Sequence, residues 1–189
     1  MIPSIEATKA VNFHRQNSLV VSTSSSLREW STISLRRDLD VDLTDCMDRA
    51  PAVGLGLALA RPEDKVLVLD CDATLRTDLA SMGTIAESNP ENLVHFVFDD
   101  STNKSTGGTP IKGLDHIDLI SMAQAAGYAK TYEFDELEEF LIGMEEIMKE
   151  PGPIFVLVKV FRDEEILPFP ERTMADGWAE VRETLLARG

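Results

Sequence analysis

The stretch Lys65-Val-Leu-Val-Leu-Asp70-Cys71-Asp72-Ala73-Thr74 decides the fold. Val66 to Leu69 are apolar without alternation, which predicts a strand covered on both faces rather than one. The acids that end the run mark where the chain leaves the core. Working outward, Leu93-Val-His-Phe-Val-Phe98 repeats the pattern and ends in Asp99-Asp100. Residues 154–161 and Leu19-Val20-Val21 do the same. Between these runs lie segments with helical spacing. Residues 50–60, APAVGLGLALA, are small and apolar and predict a closely packed helix. Residues 75–88 place Leu75, Leu79, Met82 and Ile85 on one face, and Asn89-Pro90 stops them. Helices are also expected over 3–16, through Leu27 and Trp30 with Ser24 to Ser26 as the cap, over 115–126 and over 135–149. Residues 36–45 read as loop plus a short strand, 101–113 as a polar Gly/Ser/Thr-rich loop, and Tyr128–Tyr132 as a short strand.

Strands alternating with helices predict an α/β fold, a doubly wound parallel sheet with helices on both faces. The reading is one domain over 1–189, with 163–189 as a C-terminal extension that starts proline-rich and closes in a helix. Eighteen Lys and Arg against 33 Asp and Glu give a net charge of −15. Such a surface repels phosphate backbones, so nucleic acid is not an expected partner. A solvated acidic face, a high-salt habitat and a basic partner subunit all account for that charge. No apolar run approaches the roughly 20 residues of a membrane helix, and the start shows no export pattern. Two cysteines without CxxC spacing suit a reducing, cytoplasmic setting and are too few for a disulfide framework or a structural zinc.

In an open parallel sheet, ligands gather at the carboxyl ends of the strands. Two such ends carry acids, Asp70-Cys71-Asp72 and Asp99-Asp100. Asp72 and Asp100 are one strand–helix–strand unit apart. Acids brought together this way repel unless a cation sits between them, and magnesium suits hard oxygen ligands beside a diphosphate. The amides around Thr74 and Leu75 would face a phosphate. The plainer alternative is that these acids are helix caps and loop carboxylates. Asp70-Cys71-Asp72-Ala73-Thr74 also fits the Asp-x-Asp-x-Thr pattern of haloacid-dehalogenase-type phosphatases, with Asp70 as nucleophile and Asp72 as acid/base. That family needs a lysine between its acidic motifs, and none lies between Asp72 and Asp99.

The order of motifs resembles thiamine diphosphate (TPP) enzymes, and within them the β subunits of sulfopyruvate and phosphonopyruvate decarboxylases. Cys71-Asp72-Ala73-Thr74 followed by Asp99-Asp100 is similar to the family's Gly-Asp-Gly and later Asn. The run Cys46-Met47-Asp48 into residues 49–58 resembles its Gly-Ser-Met-Gly segment and Gly-rich helix. Ser105-Thr106-Gly107-Gly108 resembles its Ser-Thr-Gly loop, and residues 151–160 its last strand. The resemblance spans about residues 15–170. It implies that Asp72, Asp100 and the Thr102 carbonyl ligate Mg2+. It implies that the Ala73 amide and Thr74 hold the diphosphate, with Met47 and the backbone of Cys46 to Asp48 near the aminopyrimidine. It further implies a 2-oxo acid substrate, a hetero-oligomer with self-association, and a pyrimidine-domain (α) subunit supplying the catalytic glutamate. The helices over 54–60 and 75–88 are its candidates for subunit packing. The sequence departs from the pattern at Cys71, Ala73, Ser101 and Asp48, each in place of Gly, and at Asp100 in place of Asn. These departures keep open a second reading, a non-catalytic subunit of the same fold. Arg49 and Lys104 are the nearby cations, read as loop charges unless they meet substrate. His95 reads as a core histidine, His116 as a weaker ligand candidate, and Trp30 and Trp178 as packing residues.

Overall fold

The computed structural model describes residues 1–103, 108–111 and 117–188, with backbone alone at Asn103. Among the described residues, seven strands form one parallel sheet. In chain order they are β1 (Ile2–Pro3), β2 (Leu19–Thr23), β3 (Asp40–Leu43), β4 (Val66–Cys71), β5 (Leu93–Asp99), β8 (Lys130–Phe134) and β9 (Ile154–Phe161). The spatial order is β3-β2-β4-β5-β9, and both β8 and β1 pair along the outer edge of β9. A two-stranded antiparallel ribbon, β6 (Thr102–Asn103) with β7 (Thr109–Pro110), stands apart.

The apolar runs that predicted strands are the central ones, and every residue of β2, β4 and β5 is buried. Each face of the sheet carries its own helical layer. Helices α1 (Ser4–His14), α2 (Ser24–Ile33) and α7 (Leu137–Ile147) cover the face holding Val20, Leu67, Leu69, Phe96 and Val156. Helices α3 (Ala50–Ala60), α5 (Ala80–Ser88), α6 (Leu119–Ala126) and α8 (Met174–Arg188) cover the other, over Val21, Val68, Val97 and Leu157. Helix α3 has the predicted bounds. It rides so close to β4 that a Cβ on Gly54 would sit 2.2 Å from Val68 Cγ2, which explains a glycine there. Gly127, at φ +105°, ends α6 in the left-handed conformation.

Three expectations need correction. The helix expected over 75–88 is two pieces, α4 (Asp72–Leu75) and α5, because turns through Thr77 and Asp78 interrupt it. The segment 101–113 contains a small ribbon rather than loop alone, although residues 104–107 and 112–113 lie outside the described set. Ser24 to Ser26 are the first turn of α2 and not its cap, since Thr23 precedes it without a side-chain cap bond. Residues 163–188 return through α8 to β3. Arg172 donates to the carbonyls of Arg37 and Asp40 and to Asp42, and the Trp178 indole donates to the Asp42 carbonyl.

Candidate functional site

Strands β4 and β5 run side by side in register, with Cys71 opposite Phe98, so their carboxyl tips arrive together. Asp72 follows the first tip and is wholly buried, and neither of its carboxylate oxygens accepts a hydrogen bond. Burial, then the charges of Asp99 and Asp100, push its carboxyl up to about 8. Asp72 and Asp99 face each other closely enough to compete for one proton. Burial pushes Asp99 upward too, but its Oδ2 accepts from Lys159 Nζ at 2.6 Å, and that bond holds the group below the usual carboxylate range.

The structure thus brings Asp72 and Asp100 into one charged cluster, with Asp99 and Lys159 as members that the spacing argument did not assign. Asp100 is engaged on both sides. Its Oδ1 accepts from the Thr102 amide at 2.9 Å and the Thr102 hydroxyl at 2.7 Å, and its Oδ2 from Arg162 Nε at 2.8 Å. Ser101 reaches Asp99 in the same way through amide and hydroxyl, and takes φ +61° to make the turn. Arg162 escaped the sequence reading because it lies just past β9, far along the chain. Lys159, inside β9, was a foreseeable signal, since a lone charge in an otherwise apolar strand needs a partner.

The Thr74 hydroxyl points inward. It donates to Asp70 Oδ1 and accepts from the Cys71 amide at 3.3 Å, completing a capping box with Cys71. Ala73 stands half-buried beside it. Met47 lies in a 3-10 turn (Met47–Arg49) ahead of α3, and its carbonyl accepts from the Thr23 hydroxyl at 2.8 Å. Cys46, Met47 and Asp48 are partly buried past the end of β3, on the same carboxyl edge of the sheet. Arg49 is exposed and pairs with Asp48 and Asp78. Lys104, Ser105, Thr106, Gly107 and His116 lie outside the described residues.

Asp70 is fully buried, bound by the Cys71 amide at 2.8 Å and by Thr74, with His95 Nε2 at 3.4 Å. A nucleophile must face its substrate, so the phosphatase reading fails at Asp70. His95 is a satisfied core histidine, its Nδ1 3.1 Å from the Tyr128 hydroxyl. Trp30 packs under Arg15, whose guanidinium carbon lies 5.1 Å from the ring centre.

A polar cavity of about 440 Å3 opens beside Asp99, lined also by Arg76, Ser101, Asp118, Glu133 and Lys159, while Asp72 and Asp100 stand outside its lining. Among the described residues, no three His, Cys, Asp or Glu side chains form a ready metal cage. The donor set nevertheless fits magnesium, which takes one or two carboxylates and completes its shell with water and phosphate oxygens. A buried carboxylate that no donor reaches is the group such a cation would satisfy.

The family model described as thiamine pyrophosphate enzyme, C-terminal TPP binding domain, matches residues 30–158, more than half of the chain. Phosphonopyruvate decarboxylase of Streptomyces viridochromogenes is 32% identical over 142 residues, 75% of this chain and 35% of that protein. Sulfopyruvate decarboxylase subunit beta of Methanocaldococcus jannaschii is 35% identical over 104 residues, 55% of this chain and 54% of the subunit. The chain therefore spans about a third of the Streptomyces relative and about half of the archaeal subunit. An X-ray structure of an enzyme from Mycobacterium smegmatis, assigned as thiamin diphosphate-dependent, superimposes with a TM-score of 0.72 at 15% identity. That match covers 86% of this chain and 32% of the other, and it carries the fold alone.

Proposed function

This chain belongs to the thiamine pyrophosphate enzymes, whose C-terminal TPP-binding domain it carries, and on that premise we propose that it is the diphosphate- and magnesium-holding subunit of a split, cytoplasmic 2-oxo acid decarboxylase. The observation that carries the proposal is Asp72, a buried carboxyl that no arginine or lysine reaches, at a strand tip where Asp99 and Asp100 stand close. Asp72 and Asp100, with the Thr102 carbonyl, would hold Mg2+. The Ala73 amide and the backbone at Thr74 would meet the diphosphate, since the Thr74 hydroxyl is committed to Asp70. Backbone from Cys46 to Asp48, with the Met47 side chain, would face the aminopyrimidine.

When bound, TPP supplies a nucleophilic carbon and an electron sink for the loss of CO2. This chain's part is to hold and orient that group, and to keep a cation where the diphosphate charge lies. The pyrimidine-domain glutamate would come from a separate α subunit. Support comes from the archaeal relatives, which are named as beta subunits of sulfopyruvate decarboxylase. The substrate would be a small 2-oxo acid of the sulfopyruvate or phosphonopyruvate type, and the complex a hetero-oligomer with self-association.

A second reading, a non-catalytic subunit of the same fold, draws on the inward Thr74 hydroxyl and on the engagement of Asp100 by Arg162. One experiment separates the two. The chain is co-expressed with a pyrimidine-domain subunit, titrated with TPP and Mg2+, and assayed for CO2 release from 2-oxo acids. Binding and turnover that both vanish in Asp72→Ala support the decarboxylase. Absence of binding with the partner present supports the non-catalytic subunit.

A further inference from the structure

Asp72 stands within electrostatic reach of Asp99 and Asp100, and a fourth carboxylate, Glu29 of α2, is tied to Asp100 through Arg162. Two cations from the end of β9 answer them. Lys159 serves Asp99. Arg162 serves two acids at once, with Nε donating to Asp100 Oδ2 at 2.8 Å and Nη1 standing 2.6 Å from Glu29 Oε1. Its Nη2 also reaches Cys71 Sγ at 3.8 Å, so one side chain touches the β4 tip, the turn after β5 and α2. The side chain is only 6% exposed, so these contacts form in a setting that screens charge weakly. Glu29 has neutral donors besides, the hydroxyls of Ser4 at 2.5 Å and Thr8 at 3.1 Å.

We infer that Arg162 is a positioning residue, a permanent counter-charge that keeps Asp100 beside Asp72 and reserves Asp72 for an incoming divalent cation. A guanidinium suits this place because it stays charged and its planar fork can serve separate acceptors together. Asp72 is the member of the cluster that neither cation reaches. The inference rests on the cofactor reading above, and names a residue beyond β9 on which that site depends.

Thermal unfolding of the full chain tests it, using wild type, Arg162→Met, Arg162→Lys, Asp100→Asn and the double variant Arg162→Met/Asp100→Asn. Each is measured alone, with Mg2+, and with Mg2+ plus TPP. Arg162→Met is expected to lower Tm by at least about 5 °C, because it leaves Asp100 buried and unpaired. Asp100→Asn in that background should recover a good part of the loss, and Arg162→Lys should fall between Arg162→Met and wild type, because an ammonium keeps the charge but not the fork. The shift produced by Mg2+ alone should shrink in Arg162→Met, where Asp100 is no longer held beside Asp72, and shrink less in Arg162→Lys. If Arg162→Met fails to fold, Arg162→Lys with and without Asp100→Asn carries the same comparison. A wild-type response to Mg2+ and TPP, with no coupling between positions 100 and 162, would overturn the role of Arg162 alone. A wild type silent to both ligands would sink the cofactor reading and the reserving role with it.

Discussion

Two places in one sheet bury aspartates, and they treat them differently. At the β3 edge, Asp40 is wholly buried and meets Arg15 Nη1 at 2.8 Å and Arg37 Nη1 at 3.1 Å. Asp42 is equally buried and meets Arg37 and, at 2.8 Å, Arg172. At the β4 tip, Asp72 is just as deep and meets no donor. Burial costs a carboxylate the same solvation in both places. Where arginines answer that cost, in part at Asp42, where burial still holds the carboxyl above its ordinary value, the acid ties α1 and the C-terminal segment to the sheet edge. Where none does, the acid keeps a proton instead, and the advantage that the unfolded chain gains as pH rises is one that a bound cation would remove. The contrast marks Asp72, without reference to any relative, as the acid of the sheet that a ligand would suit best.

The largest test of that contrast removes an arginine. Arg15→Met leaves Asp40 buried with one partner fewer, and should cost about 3–5 kcal/mol of stability in denaturant unfolding. A loss under about 1 kcal/mol would mean that the β3 edge is no more committed than the surface. Next, Asp72→Asn should act in the opposite direction. Without ligands near pH 8 it should be more stable than wild type by about 2 kcal/mol, or roughly 4–8 °C, while losing any thermal response to Mg2+ and TPP. A destabilised, still responsive variant would erase the distinction.

A pH profile sharpens the same point. The Asp72 carboxyl is raised to about 8 in the folded chain, against the roughly 3.9 of an unperturbed Asp. Between those values the folded state holds a proton that the unfolded state has released. This contribution is complete below the unfolded value and is lost as pH climbs toward 8. The ligand-free protein should therefore weaken from about pH 5 to about pH 8, and the slope should flatten in Asp72→Asn. A cation competes with that proton, so stabilisation by Mg2+ should be larger at the upper end of the range. As the smallest effect, Lys9→Met breaks the exposed Lys9–Glu6 pair and should change stability by less than about 0.5 kcal/mol.

Much of this architecture can be read from local sequence. The apolar runs of β4, β5 and β9, without polar alternation, state that both faces are covered, and α3 announces its length through small residues bounded by Arg49 and Arg61. Other features depend on contacts distant in the chain. Two-residue β1 is too short to carry a periodicity and exists only because β9 offers an edge. Helix α5 starts late because turn hydrogen bonds at Thr77 and Asp78 intervene, which Leu75 and Leu79 on one face do not reveal. At the site, Asp72 and the acidic pair at 99–100 were legible as strand ends. Which of the pair confronts Asp72 depends on the turn at Ser101, and that Thr74 folds inward depends on Asp70. The counter-charges Lys159 and Arg162 belong to a strand about sixty residues later, so only the assembled sheet reveals them.

The shared edge of β9 has a practical consequence for handling the protein. Ile2 and Pro3 pair with Val160 and Phe161, immediately ahead of Arg162. The amino end is thus a clasp over the hem of the sheet, one residue from the cluster's largest cation. Purification handles or trimming at residues 1–3 would loosen that hem and alter the neighbouring acids from a distance in sequence, whereas a handle at the far end of α8 would leave them undisturbed.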